Sequence, residues 1–464
     1  MFKNFIKKES EPVKKYLRSI ASLIPPEFRD FGTSRSWKKF LATAQYWPEE
    51  LIRDWQLEQL RRVVDLGLSK TVGYKELYKK VGLVSAHDLR ELDDLKRLPF
   101  TSKELFRDHL REFTVRDVGG RYVSTSGSTG IPFGFNESPR TARIEDAFIK
   151  TGWSWVGWES GMPSAVLRGA FVGSKERVSN WDPWNRELAL SSYFLTHDSL
   201  ERYIKEIKSR RIRVLQAYPS SFNLLVDLML ERKLEGNLSL DIVFLGSENV
   251  YPWQMERFRE IFPYSRFVSW YGHCEKAVLA PWCEASAEYH CWPFYGVTEV
   301  LNEGGANVAD GAEGEIVGTS FNQELTPFIR YRTMDYAEKG PNRCQCCGRE
   351  FPILKRVTGR LHEVILTKSG RRISMTAINM HDHIFDGLIQ FQFLQENPGR
   401  VIFKYVAKQS ELSSSQLAKI AFGLKLKLGE DMELETAQVA EIPRTRAGKY
   451  RFLDQRILNS YGDK

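Results

Sequence analysis

The sequence predicts an α/β protein: a large N-terminal domain with helix-covered, mostly parallel sheets, followed by a small C-terminal α+β domain. Three observations carry this. Strand and helix periodicities alternate between residues 198 and 270, the pattern of βαβ units. Residues 389–405 alternate at period two around an Asn-Pro-Gly turn, which marks a hairpin. The chain has 464 residues, and at about 150 residues per domain that length holds two or three.

The elements follow in order. Residues 47–80 are expected to be helical, with Pro48 in the first turn and Leu51, Trp55, Leu60, Val63 and Val64 at helical spacing. Residues 1–80 are expected to be a mostly helical lead-in. Asp198 and Glu201 have the spacing of a capping box, ahead of Leu200, Tyr203, Ile204 and Ile207 on one helical face. Strands are expected at 214–215, 241–245 and 266–270, and helices at 221–231 and 252–262. In the tail, Ile389, Phe391 and Phe393 pair across Asn397-Pro398-Gly399 with Val401, Phe403 and Tyr405. A helix with Leu417, Ile420, Ala421 and Leu424 then ends near Gly429. The boundary is placed at Gly359-Arg360, giving domains 1–360 and 361–464.

Composition narrows the class. Hydrophobic residues are 42% and charged residues 27%, an ordinary globular balance that excludes a disordered or collagen-like chain. No apolar run approaches the ~18 residues a membrane span needs. The start lacks the apolar core of a secretory signal, so a cytoplasmic protein is expected. The net charge is +8. Lys3, Lys7, Lys8, Lys14, Lys15 and Arg18 against Glu9 and Glu11 place half of it in the first twenty residues. That basic, amphipathic start suits either a solvated docking helix or a peripheral contact with an anionic inner membrane face. The rest is diffuse, so nucleic acid is not an expected partner.

The strongest local motif is Tyr122-Val-Ser-Thr-Ser-Gly-Ser-Thr-Gly-Ile-Pro-Phe-Gly134. Hydroxyls and glycines directly after a strand-like stretch make a loop whose N–H and O–H groups converge on an anion. No Gly-Lys-Ser/Thr follows, so it is not a Walker A loop. Farther along come Tyr271-Gly-His-Cys-Glu275, Tyr331-Arg-Thr-Met-Asp335, Thr358-Gly-Arg360 and Pro443-Arg-Thr-Arg-Ala-Gly-Lys449. In this order the motifs resemble those of the adenylate-forming (AMP-forming acyl-CoA synthetase-like) enzymes, and most of all the phenylacetate–CoA ligase and CapK-like branch. Leu98-Pro-Phe-Thr-Ser-Lys103 and Ala217-Tyr-Pro-Ser-Ser221 are similar to that branch too. The resemblance spans about residues 90 to 450.

The resemblance implies an ATP- and Mg²⁺-dependent ligase. Thr125, Ser126, Gly127, Ser128, Thr129 and Gly130 would hold the β- and γ-phosphates. Gly246, Ser247 and Glu248, with Tyr271 and Gly272, would flank the adenine. Glu275 would bind Mg²⁺, a hard cation that favours carboxylate oxygen. Asp335 would accept both ribose hydroxyls. Arg360 would sit at the domain junction. Lys449 would bring a point charge from a mobile small domain to the carboxylate and α-phosphate. The chain departs from the usual family pattern at Cys274 (commonly Thr), Met334 (commonly Gly), His362 (commonly Asp or Lys) and Phe133 (commonly Lys). Phe133 is shared with the CapK-like branch.

All six cysteines lie between Cys274 and Cys347. Cys344 and Cys347 at a two-residue spacing, with Cys283 and His290 as a distant pair, suit a tetrahedral Cys₃His zinc site. Cys346 is the alternative to Cys347, and reduced, unconnected thiols are the alternative to a site. The branch resemblance also implies a structural zinc. Cys274 and Cys291 are expected only to pack.

The acid pocket is expected between the glycine-rich loop and the Tyr271 motif. Trp153, Trp155, Trp158, Trp181 and Trp184 lie there with Arg168, Asp182, Asn185 and Tyr218. Tryptophans beside Asp and Asn suit stacking on a sugar, and a plain aromatic core suits them equally. The family resemblance implies that a carboxylic acid is adenylated and passed to an acceptor, and CapK-like relatives point to polysaccharide biosynthesis. The acceptor is coenzyme A, a carrier-protein thiol or, in an amide-forming variant, an amine. Two rival readings are a non-catalytic nucleotide-binding relative and a zinc-stabilised nucleic-acid binder.

Overall fold

The computed structural model describes residues 32–115, 119–124, 133–168, 177–192, 194–360, 364–369, 372–374, 388–407, 412–443 and 451–457. The basic start, the loop Thr125 to Gly130, His362 and Lys449 lie outside the described residues. So does the Arg360 side chain.

The described part of the lead-in holds helices Thr33–Ala44, Glu49–Lys70 and Val72–Lys80. Pro48 is the N-cap rather than a first-turn residue, and Glu49 and Glu50 follow it in the first turn, where the helix dipole favours carboxylates. Thr71 breaks the expected single helix and its hydroxyl caps the next one at Tyr74 N. Leu51 faces solvent, and Ile52 takes the inward place beside Leu60, Val63 and Val64.

Strands β1 (Arg121–Ser124) and β2 (Gly134–Glu137) form an antiparallel hairpin, so the glycine-rich loop joins two paired strands. Next come β3 (Ser164–Arg168), β4 (Ser179–Asp182), β5 (Glu187–Ser191), β6 (Val214–Ala217), β7 (Ile242–Gly246), β8 (Arg266–Gly272) and β9 (Leu279–Pro281). They build a seven-stranded sheet in the order β4-β5-β3-β6-β7-β8-β9. The central strands β5, β3, β6, β7 and β8 are parallel, and β4 and β9 close the edges antiparallel. Helices His197–Ser209, Pro219–Glu231 and Pro252–Ile261 connect them. β7 is buried along its whole length, the mark of a parallel strand covered on both faces. The capping box before residue 200 is made by Thr196 and Ser199, not by Asp198 and Glu201. The Thr196 hydroxyl, two positions earlier, accepts from the Ser199 amide, so the helix starts two residues before the Asp198 pattern would place it.

A second sheet follows from β10 (Tyr289–His290), β11 (Gly296–Leu301), β12 (Glu313–Ser320), β13 (Tyr331–Lys339) and β14 (Ile353–Arg360). Its order is β10-β14-β13-β12-β11, antiparallel throughout. Beyond it lie the small hairpin β15 (Val364–Leu366) and β16 (Arg372–Ser374), then β17 (Leu388–Asn397), β18 (Arg400–Ala407), β19 (Glu433–Gln438) and β20 (Leu453–Gln455). The last four make a sheet in the order β19-β18-β17-β20, with the expected hairpin at its centre. Helix Ser414–Leu428 covers it through Ile420, Leu424 and Leu428, all fully buried. Gly429 ends that helix at φ +92°, a conformation open to glycine alone without strain. Among the described residues no helix is long and apolar enough to cross a membrane.

Candidate active site

Strand β8 brings the Tyr271 motif to the junction of the two large sheets. Side chains alternate along a strand, so Trp270 and Tyr271 leave it on opposite faces. The Tyr271 hydroxyl donates to Asp335 Oδ2 at 2.8 Å, and both residues are buried. Asp335 stands opposite Arg360 in the β13–β14 register. It is presented by a bulge, because the β12–β13 register shifts between Glu315 and Val317. At that bulge Met334 adopts φ +63°, which explains why glycine is common at this position: a side chain there costs about 1–2 kcal/mol. The strained peptide is held by Glu315, which accepts from Met334 N at 3.2 Å and from Arg332 Nε at 2.8 Å.

Glu275 follows β8 in a tight turn. Its Oε1 accepts from Tyr331 Oη at 2.9 Å, and its Oε2 lies 3.0 Å from His273 Nδ1. Burial alone would push this carboxyl up. The His273 hydrogen bond and charge, a backbone N–H and Tyr331 outweigh burial and hold it at about 2. It is an anion at every ordinary pH, with lone pairs left for a cation. That donor chemistry fits Mg²⁺.

Beside it lies a buried charge cluster with no signature in the sequence. Lys276, at φ +56°, pairs with Glu137 at the end of β2 and lies 3.5 Å from Glu145 of helix Pro139–Ser154. Arg121 of β1 donates to the other oxygen of Glu137 at 3.0 Å. Burial, and secondarily the nearby Glu137, push the Glu145 carboxyl up against the pull of Lys276. The stem of the glycine-rich hairpin is thereby tied to the residue next to Glu275.

Gly246, Ser247 and Glu248 form the turn after β7. A Cβ at Gly246 would come within 2.6 Å of the Trp270 indole, so only glycine fits. Ser247 turns at φ +67°. The Glu248 carboxylate accepts from Ser220 N at 3.0 Å and Ser220 Oγ at 3.1 Å. It caps helix Pro219–Glu231 and ties the Ala217–Ser221 motif to this turn.

The five tryptophans do not converge. Trp153 stacks on Phe244 at 4.3 Å and meets Trp158 edge-on. Trp181 lies under Arg210. Trp184 and Asn185 belong to a turn organised by Asp182, which accepts from Trp184 N at 2.9 Å and Asn185 Nδ2 at 2.9 Å. Trp155 faces away, donating to Gln45 Oε1 at 2.8 Å and lying 4.0 Å from the Arg349 guanidinium. Here the aromatic-core reading describes the residues better than a shared sugar platform.

The metal candidates do converge. One ligand atom from each of Cys283, His290, Cys344 and Cys347 lies within 4.8 Å of all the others. Cys347 Sγ is 3.4 Å from His290 Nε2, and Cys283 Sγ is 4.0 Å from Cys344 Sγ. His290 Nδ1 faces Glu288 O at 3.1 Å, which leaves Nε2 for a metal. Cys346 is exposed and outside the cluster. Arg349, almost fully buried, pairs with Glu284 at 2.9 Å and Gln45 at 3.2 Å beside the thiols. A Cys₃His zinc site carries one net negative charge, so soft donors with a guanidinium behind them fit that ion. Cys291 is buried and pushed up to about 12 by burial, whereas Cys274 is exposed rather than packed.

Known proteins agree with this frame. The fold is that of adenylate-forming enzymes: a 2-hydroxyisobutyryl-CoA ligase, solved in the postadenylation state with an acyl-AMP, superposes with a TM-score of 0.71. The match covers 88% of this chain and 90% of that one at 18% identity. The same ligase in an open conformation gives 0.54. Within that class the chain is similar in sequence to phenylacetate–CoA ligases. It is 26% identical to the phenylacetate–coenzyme A ligase of Thermus thermophilus over 334 residues, 69% of this chain and 73% of that one. The Escherichia coli phenylacetate–coenzyme A ligase is 24% identical over 332 residues, 68% and 72% respectively. Residues 365–456 match the family described as the CapK C-terminal domain.

Proposed function

We propose that the protein is an AMP-forming carboxylate ligase that makes an acyl thioester in two steps. A carboxylate oxygen attacks the α-phosphorus of ATP and the pyrophosphate bond breaks, giving acyl-AMP and pyrophosphate. The thiol of coenzyme A then attacks the acyl carbon, and AMP leaves. The observation that carries this reading is the buried Tyr271–Asp335 hydrogen bond beside an ionised Glu275. It supplies a ribose acceptor, an aromatic ring and a cation ligand at one place.

The residues then have separable roles. Asp335 accepts the ribose hydroxyls, and Tyr271 orients that carboxylate while offering its ring face to the base. Gly246 and Ser247 shape the turn beside it. Thr125, Ser126, Gly127, Ser128, Thr129 and Gly130 bind the terminal phosphates through N–H and O–H donors. Glu275 would hold Mg²⁺, whose charge offsets that of the phosphates. Residues 361–464 act as a small domain that swings about Gly359–His362, with Arg360 at the junction. Lys449 reaches the α-phosphate only in the first step. Cys283, His290, Cys344 and Cys347 would hold zinc, joining the turn after β9 to the turn before β14. The relatives' names favour coenzyme A over an amine as acceptor, and the CapK likeness supports a place in polysaccharide biosynthesis.

ATP–pyrophosphate exchange over a panel of carboxylic acids tests the reading. At least one acid should support exchange, and Lys449→Ala should abolish it while preformed acyl-AMP is still consumed. Unchanged exchange in Lys449→Ala removes that lysine from the mechanism. No exchange with any acid favours the non-catalytic reading, which the changes at Cys274 and Met334 motivate.

A further inference from the structure

Arg168 ends β3, between the C-terminal ends of β5 and β6 in the large sheet. Ligands of open parallel sheets bind at that edge. Its guanidinium lies 5.2 Å from the centre of the Trp270 ring, and Trp270 directly precedes Tyr271. Arg168 is therefore one side-chain layer from the nucleotide motif, on the opposite face of β8.

Its Nε and Nη2 are shut off from solvent and have no hydrogen-bond partner among the described residues. Burial pushes this guanidinium down from its ordinary value, with Tyr218 and then Glu187 opposing. Neither is in salt-bridge or hydrogen-bond contact with those two nitrogens. The other buried arginines behave differently. Arg330 meets both Glu299 oxygens and the carbonyls of Lys96 and Leu98. Arg349 is bonded to Glu284 and Gln45. Arginines that serve only the fold are saturated here, because an unmet buried donor is costly. Nε and Nη2 also form the side-on edge of the guanidinium, which takes a carboxylate through two parallel bonds.

We propose that Arg168 is a specificity residue of the acid pocket that receives a second anionic group, so that the substrate is a dicarboxylic acid or one ending in a comparable two-oxygen acceptor. The proposal rests on the ligase reading and names its substrate class. One carboxylate is activated at the α-phosphate, and the other pairs with Arg168 over Trp270. Simple aryl and alkyl monoacids would leave two buried donors unmet and be selected against.

The test compares matched acids in the exchange assay: succinate and glutarate against butyrate and valerate, and 4-carboxyphenylacetate against phenylacetate. The wild type should favour the diacid of each pair. In Arg168→Met that preference in kcat/KM should fall by about 10- to 100-fold, the worth of charge-assisted hydrogen bonds, with Arg168→Lys in between. A wild type that favours monoacids, or a preference unchanged in Arg168→Met, overturns the proposal and leaves the ligase reading intact. If no acid supports exchange, the ligase reading fails, and direct binding decides the subsite. Glutarate should then raise the melting temperature of the wild type but not of Arg168→Met; equal shifts, or none in either protein, overturn it.

Discussion

Replacing Lys276 with methionine removes the cation that lies between the Glu137 and Glu145 carboxylates. Glu137 is fully buried, the Lys276 side chain is 8% exposed and Glu145 is 25% exposed. Breaking a buried pair by deleting one partner costs about 3–5 kcal/mol. Arg121 still holds one oxygen of Glu137 and Glu145 can rehydrate, so the lower end, about 3 kcal/mol, is expected near pH 7.5. The sign of the pH dependence follows. Without Lys276 the Glu145 carboxyl, already raised by burial, rises further above its unfolded value, so the penalty is present above the folded pKa. It fades as pH falls toward the unfolded carboxyl value near ~4.3. Urea unfolding of the wild type and Lys276→Met at pH 7.5 and pH 5 measures this. The double variant Glu137→Gln/Lys276→Met should recover part of the loss at pH 7.5. A penalty under about 1 kcal/mol, the size of an exposed pair, or one independent of pH would refute the reasoning.

Other expectations follow from the same geometry. The purified protein should carry one zinc per chain by elemental analysis, and Cys283→Ser or Cys344→Ser should lose it. Chelation should lower the melting temperature before it lowers exchange activity. Tyr271→Phe removes one hydrogen bond to Asp335, worth about 1 kcal/mol, so KM for ATP should rise about fivefold with kcat little changed. Asp335→Asn, which keeps the shape and loses the charge, should be more severe in the same assay. Met334→Gly relieves a positive φ costing about 1–2 kcal/mol and adds about 0.5–1 kcal/mol of chain entropy. Its melting temperature should therefore not fall, whereas Met334→Val should lower it.

What the sequence showed depended on periodicity and contiguous motifs. The βαβ run was legible because β7 and its neighbours are apolar on both faces and bounded by helical patterns. The tail hairpin was legible from strict alternation about one turn. The antiparallel sheet was not, because β12 and β13 bury Glu315, Thr333 and Asp335, and paired polar side chains erase the period-two signal. The zinc candidates were found from the Cys344–Cys347 spacing, and burial then separated Cys347 from Cys346. Lys276 with Glu137 and Glu145 was missed, as charges scattered across the chain carry no mark of being neighbours. Glu248 was placed beside the adenine from its motif, and its hydrogen bonds to Ser220 show that it also holds a helix. Trp155 was grouped with the acid pocket because it is near in sequence. A helical step of two residues turns it from Trp153 toward the metal cluster.

The departures at Cys274 and Met334 motivate a non-catalytic relative, and their positions argue against it. Cys274 is exposed, while the bonds that fix Glu275 come from His273 and Tyr331. A thiol in place of a hydroxyl at residue 274 therefore leaves the carboxylate and its ionisation in place. Met334 keeps the left-handed backbone that glycine would adopt freely, held by its N–H to Glu315 and by the Arg332–Glu315 pair. The strain is retained and Asp335 still points at Tyr271. A chain released from nucleotide chemistry has no reason to keep a side chain at φ +63°, a buried ionised glutamate and a buried aspartate in one place. The left-handed Met334 costs stability, and a nucleotide held at Asp335 would offset that cost.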